Sequence, residues 1–234
     1  MKNIKKLALL VLFLGSVLVW LAPVSSEQKL EVFFFDVGQG DATLVQIGSR
    51  QVLIDGGPGN KILEKLGEEM PFWDRTIELV ILTHPDKDHL KGLLEVLERY
   101  KVEQILETGV VHTSKLSERW RDLVEGKDIE QVIAKSGQSI KLGESSAVLV
   151  FWPEENFENK KRNNINETSV VLKLLSGEHS VLLMADAGFP TENSLINKNF
   201  NLDADVLKVG HHGSKNSTSQ GFLQAVSPEA MIIS

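Results

Sequence analysis

The stretch THPDKDHLKG (residues 83–92) sets His84, Asp86, Asp88 and His89 within six residues, directly after the apolar run 77–82. The run reads as a buried strand. The apolar positions 90, 93, 94 and 97 that follow read as a helix over 90–100. The four polar groups therefore belong to a turn at a sheet edge, where a rigid scaffold carries functional residues. In a tight turn alternate side chains can converge on one point, while the adjacent pair Asp88 and His89 can diverge toward a second. Nitrogen and oxygen donors so arranged suit Zn²⁺, Mn²⁺ or Fe²⁺, with two ions in reach of one another. The plainer alternative is a solvated loop with Asp88 as a helix N-cap. The density of ligand types weighs against it.

The same grammar recurs along the chain. The apolar run 181–185 delivers Asp186, residues 206–209 deliver Gly210-His211-His212-Gly213-Ser214, and 33–35 deliver the loop from Asp36 to Asp41. A lone aspartate or histidine pair would read as a turn or surface feature. Strands that all present polar residues at one end describe a shared active-site edge. Further strands are expected at 30–35, 42–47, 51–54, 102–106, 132–134 and 147–151, with a hairpin of 168–175 and 180–185 around Ser176-Gly177-Glu178. A last strand is expected at 230–233. Helices are expected at 61–69, 114–125, 189–200 and 220–226, and a loop at 156–167. Strands come first as a group and then alternate with helices, which predicts a layered mixed α/β fold. No internal repeat is visible.

With 42% apolar and 24% charged residues, a folded α/β domain is expected over most of the 234 positions. The chain has no cysteine, which excludes disulfides and thiolate metal sites. Residues 1–26 combine Lys2, Lys5 and Lys6 with the almost wholly apolar segment 7–23 and the small residues Val24-Ser25-Ser26. That pattern is a signal peptide or an N-terminal membrane anchor, and it directs residues 27–234 out of the cytoplasm. The exported part carries 22 basic and 32 acidic side chains, a net charge of −10. This argues against a broad nucleic-acid surface, and Lys160-Lys161-Arg162 is the one visible basic cluster. Trp73, Trp120 and Trp152 are expected in the core or at a cleft rim. His112 falls in a strand-to-helix connection and His179 in an exposed hairpin turn.

The segments FFFDVGQGDATLVQIGSRQVLIDGG, ILTHPDKDHLKG, NNINETSVVLKL, LLMADAG and DVLKVGHHGSKNSTS, in this order over residues 30–234, resemble the metallo-β-lactamase superfamily. Within it they look like the ComEC-type competence branch, in its stand-alone secreted form. The resemblance implies a four-layer αββα sandwich. It also implies a first metal on His84 and Asp86, a second on Asp88 and His89, Asp186 as the bridging carboxylate, and His211, more than His212, as a late ligand. Asp55, in a strand–Asp-Gly-Gly turn, would brace the site. Asp88, Asp55, Lys208 and His212 are the candidate catalytic groups.

Three departures from the family pattern stand out. The superfamily commonly carries histidine at position 86, although aspartate also occurs in the competence branch, and a hard oxygen there shifts preference from zinc toward manganese. Ala185-Asp186-Ala187 replaces Gly-Asp-Ala, so a methyl group crowds the turn. The family's Asn-x-Tyr-Gly-His-Pro-His segment does not follow residue 234, so the sandwich is expected to lack C-terminal closing elements and to work weakly.

These readings predict a hydrolase using one or two divalent ions, Zn or Mn, on an extracytoplasmic phosphate ester or single-stranded DNA. Lys208, Ser214 and the glycine-rich turn favour phosphate, and the basic cluster with Lys208 and Lys215 could serve one strand locally. Another hydrolase of the same fold, such as a phosphorylcholine-esterase-like enzyme, and a non-catalytic module that binds DNA or a partner are the alternatives.

Overall fold

The computed structural model describes residues 29–234. The reading of residues 1–26 as a leader or anchor lies outside them. Two six-stranded sheets form the centre. The first holds, in spatial order, β1 (Leu30–Phe34), β2 (Thr43–Ile47), β3 (Arg50–Ile54), β4 (Thr76–Leu82), β5 (Lys101–Glu107) and β6 (Glu130–Ile133). The second holds β7 (Ser139–Lys141), β8 (Ser146–Trp152), β9 (Val171–Ser176), β10 (His179–Leu183), β11 (Val206–Lys208) and β12 (Ala230–Ile232). Each sheet opens with an antiparallel meander and continues with parallel strands, from β3 onward in the first and from β10 onward in the second.

Parallel neighbours need crossovers, and helices supply most of them. In the first sheet these are α1 (Lys61–Glu69), α2 (Lys87–Arg99) and α3 (Lys115–Gly126); in the second they are α4 (Phe189–Asn197) and α5 (Gln220–Val226). Ser114 and Ser219 cap α3 and α5 by accepting from the backbone N–H of Ser117 and Phe222.

The side-chain alternation of the strands divides the core into three layers. On β4, Val80 and Leu82 pack with Leu90, Leu93 and Leu97 of α2, while Leu79 and Ile81 face Val148, Val150, Leu172 and Leu174 of the opposite sheet. Leu182 and Leu207 pack outward with Leu195 and Phe222 of the last two helices. Burying one such aliphatic side chain contributes roughly 1.5–3 kcal/mol. The result is a four-layer αββα sandwich.

Four local expectations change. Helix α2 starts at Lys87 with Asp86 at the N-cap, so Asp88 and His89 lie on its first turn and not in the preceding loop. Strand β7 was not anticipated, because Ser139-Ile140-Lys141 carries a single apolar residue between polar neighbours. Helix α4 ends at Asn197, and the chain turns at Asn199 with φ +54°. Trp73 is neither core nor cleft rim: it stands 73% exposed, while Trp120 is buried.

Candidate metal centre

The parallel strands place the site. β3 and β4 run in the same direction and end in Asp55 and Thr83-His84. β10 and β11 likewise run together and lead into Ala185-Asp186 and Gly210–Gly213. The open edge where these strand ends meet gathers the polar groups.

Asp186 lies at the centre and is buried. Its Oδ2 is 3.7 Å from His84 Nε2 and 3.7 Å from His211 Nε2. Its Oδ1 is 3.3 Å from His89 Nε2 and 3.4 Å from His212 Nε2. Asp86 Oδ2 approaches His84 Nε2 at 3.5 Å on the first side, and Asp88 Oδ2 approaches His212 Nε2 at 3.5 Å on the second. The aspartate thus offers one oxygen to each of two donor sets. Sequence reasoning favoured one late histidine; the structure brings both members of the pair to Asp186, one at each oxygen.

The buried Nε2 atoms of His84, His89 and His212 and the Oδ1 of Asp186 have no hydrogen-bond partner. Buried polar atoms left unpaired are costly, and these four face one another. Three overlapping groups of donor atoms, His84/His89/Asp186, Asp88/His89/His212 and Asp41/Asp186/His212, each fall within 4.8 Å. Imidazole and carboxylate donors in this density fit a divalent cation.

A second layer of contacts aims the rings. Asp55 Oδ2 meets His89 Nδ1 at 2.8 Å and also accepts from Thr83 Oγ1 at 2.7 Å, while its Oδ1 accepts from the Thr83 N–H at 2.9 Å. Thr83 Oγ1 in turn lies 3.0 Å from His84 Nδ1. One carboxylate therefore orients both histidines of the first half, and Thr83, which the sequence reading passed over, is the link. His212 Nδ1 lies 3.2 Å from Asp41 Oδ1, and Asp41 Oδ2 accepts from Lys208 Nζ at 2.9 Å. Lys208 is buried and engaged by Asp41, so its charge serves Asp41 instead of meeting a phosphate as its sequence position suggested. Lys160 and Arg162 pair with Glu155, at 2.9 and 2.6 Å, which commits two of the three charges in the basic cluster.

Backbone contact fixes the first turn of α2. The N–H of Gly56 donates to His89 O at 2.8 Å and that of Gly92 to Gly57 O at 2.9 Å. A Cβ added at Gly92 would lie 1.8 Å from the Gly56 carbonyl oxygen, so only glycine lets helix and loop approach this closely. On the other side the chain is strained. Ala185, His211 and His212 have φ of +46°, +47° and +52°, in the left-handed region. Such strain concentrates at functional positions.

The charges are strongly coupled. Burial raises Asp186, but His89, His84 and His212 outweigh it and hold the carboxyl below its usual range. Burial opposes charging of His89, yet Asp55 and Asp186 lift it well above the ordinary histidine value. His212 is raised to about 9 by Asp41 and Asp88, and Asp88 is lowered to about 2 chiefly by His212. Burial pushes Asp41 up, but His212 and Lys208 hold it far below the carboxylate range. In the metal-free chain, protons on His89 and His212 supply positive charge to this carboxylate cluster.

Beside His84 and Pro85 a cavity of about 150 Å³ opens, lined by Glu107, Thr108, Trp120 and Arg121. Burial raises the Glu107 carboxyl, although it accepts from Trp120 Nε1 at 3.1 Å. No sequence signal singled out this cavity, because its walls come from β5, α3 and the loop near Glu158. His112 lies nearby against Ser114 and Ser117, and His179 opens β10 in an exposed position.

Residues 35–234 match the model of the metallo-beta-lactamase superfamily. The chain is 33% identical over 239 residues to ComE operon protein 3 of Bacillus subtilis (strain 168), covering 93% of this chain and 30% of that protein. It is 28% identical over 231 residues to competence protein ComA of Neisseria gonorrhoeae, covering 96% of this chain and 30% of the other. The chain therefore spans less than a third of the length of these relatives. Among solved structures, human tRNase Z, short form, superposes with a TM-score of 0.55 at 14% identity, covering 86% of this chain and 92% of the other. That likeness speaks for the fold alone.

Proposed function

Because the chain belongs to the metallo-β-lactamase superfamily, and within it is related to the competence proteins, we propose that it is a metal-dependent hydrolase acting on a phosphodiester. Its substrate is single-stranded DNA or another phosphate ester outside the cytoplasm. The observation that carries the reading is the set of four buried, unpartnered atoms converging on Asp186 from His84, His89, His212 and Asp186 itself. Divalent cations, when bound, supply Lewis acidity and lower the pKa of water.

The rest of the work falls to the chain. Asp55 and Thr83 hold the rings of His84 and His89 so that both Nε2 atoms face Asp186. Asp41, neutralised by Lys208, fixes the His212 ring from behind. Asp86 and Asp88 are partly exposed at the open edge, where substrate and water arrive, and His212 keeps Asp88 ionised at neutral pH as an anionic donor. The cavity beside His84 gives room for one flank of the substrate next to the reacting centre.

A second reading, hydrolysis of an uncharged ester or amide on the same centre, draws support from the engagement of Lys208 by Asp41, which removes a cation from phosphate recognition. The test is turnover by the zinc- and manganese-loaded chain on bis(p-nitrophenyl) phosphate, single-stranded DNA, a phosphorylcholine ester and a carboxylic ester. Phosphodiester cleavage abolished by Asp186→Asn is expected. Cleavage of the carboxylic ester alone would favour the second reading, and metal loading without turnover on any substrate would favour a binding module.

A further inference from the structure

We propose that the turn Pro71–Asp74 is a lipid-contacting foot: Phe72 and Trp73 sit in the headgroup region of the bilayer that the apolar segment 7–23 enters, and the metal centre faces away from it. The inference rests on reading that segment as a retained anchor and is independent of the hydrolase activity.

Strand directions carry the argument. β1 runs antiparallel to β2 and β2 antiparallel to β3, so β1 and β3 point the same way, and β4 is parallel to β3. Leu30, Arg50 and Thr76 therefore open their strands at one end of the sheet, and Asp55 and His84 follow at the other. The chain enters the domain at the end opposite the metal centre. Between the apolar segment and β1 lie six residues, 24–29, a reach of at most about 20 Å even when fully extended. An anchored segment 7–23 thus holds this end against the bilayer.

That same end carries Phe72 and Trp73, which are 80% and 73% exposed and pack edge to face at 4.8 Å between ring centres. The next most exposed large apolar side chain among the described residues, Ile233 at 67%, lies at the opposite end, just past β12. The turn is held rigidly. The Asp74 N–H donates to Pro71 O at 2.9 Å, and the Asp74 carboxylate accepts from the Thr76 N–H at 3.1 Å and from Gln51 Nε2 at 3.2 Å. The two aromatic residues at its tip are therefore presented outward by the scaffold. Tryptophan prefers the membrane interface because its ring is apolar and its N–H remains hydrated. The nearby Lys29 and Lys101 pair with Glu31 and Glu103, so ring insertion, not a cationic field, supplies the attraction.

The experiment uses the full chain with Trp20→Phe, reconstituted into phosphatidylcholine vesicles brominated near the headgroup end of one acyl chain. This leaves Trp73, Trp120 and Trp152 of the four tryptophans. Trp152 ends β8 beside Val171, at the metal end, and provides an internal control. The chain is expected to float with the vesicles and to lose the emission contributed by Trp73. Trp73→Tyr should abolish the quenching, and Trp152→Phe should leave it unchanged. Flotation with quenching that survives Trp73→Tyr would overturn the foot while sparing the anchor. So would flotation without quenching, accompanied by a self-association that Phe72→Ser removes. Failure to float would overturn the anchor reading, and the foot with it.

Discussion

The two halves of the domain are built on one plan and supply the metal centre in opposite ways. In the first, β4 hands over to α2 and presents His84, Asp86, Asp88 and His89 in one contiguous run, braced from within the same sheet by Asp55. In the second, Asp186 and the histidine pair come from the ends of two different strands. The second half also stands on left-handed backbone at Ala185, His211 and His212, and His212 is braced from across the sandwich by Asp41. A half that carries its donors on a helix turn keeps the donors themselves on ordinary backbone and confines the left-handed residue of its site to the brace, Asp55 at φ +59°. A half that carries them on strand-end loops needs strained backbone and a partner from elsewhere. The first half is a motif, and the second becomes a site only against the first.

The largest effect expected from breaking this arrangement is at Asp186. Asp186→Asn removes the one group that serves both donor sets, so metal stoichiometry should fall and turnover should drop beyond the ~10–100-fold typical of an outer partner. Elemental analysis together with circular dichroism checks this, and a folded variant with full metal content would show that the halves do not share a carboxylate.

Next comes the brace of the first half. Asp55→Asn should weaken metal affinity by about 10–100-fold, because it loosens both His84, through Thr83, and His89. Competition with a chromophoric chelator measures the affinity. An unchanged value would place the aiming of these rings elsewhere.

Gly92→Ala probes the backbone seam that seats α2. The new Cβ meets carbonyl oxygen that cannot swing aside, so a loss of about 1–3 kcal/mol is expected from overpacking, read by urea denaturation. Metal affinity should fall with it, since the seam positions His89.

A pH titration sharpens the contrast for His212. Its folded value is raised to about 9, above the unfolded histidine value of about 6.5. In chelated protein its contribution to stability is complete below the unfolded value and is lost as pH rises through the folded one. The thermal midpoint of the chelated chain should therefore fall between those two pH values. Cations bind neutral imidazole, so the loaded chain should hold its midpoint over the same window. Parallel curves for the two forms would remove His212 from the donor set.

The smallest effect concerns strain in the second half. Ala185→Gly relieves a left-handed alanine, worth roughly 1–2 kcal/mol, against the ~0.5–1 kcal/mol entropic cost of glycine. A net gain of about 0.5–1 kcal/mol in urea denaturation is expected. A loss would mean that the methyl group packs more favourably than the backbone suffers.

The sequence by itself determined the layered α/β class, the strands of both sheets except β7, and the contiguous half of the candidate site. Apolar runs and helical spacing are local signals, and His84 to His89 lie within one of them. It also marked Asp186 and the histidine pair as polar groups just past buried strands. Only the tertiary structure decided that both His211 and His212 reach Asp186, that Asp41 engages Lys208, that Thr83 links Asp55 to His84, and that Trp73 is exposed on the domain surface. These depend on which strand end lies opposite which, and a pairing across 167 residues, as between Asp41 and Lys208, leaves no trace in local periodicity. The start of α2 was missed for a related reason. Asp86, Lys87 and Asp88 read as loop by polarity, whereas the extended backbone of Asp86 makes it the N-cap, so the helix begins inside the polar run and turns Asp88 and His89 toward the other half.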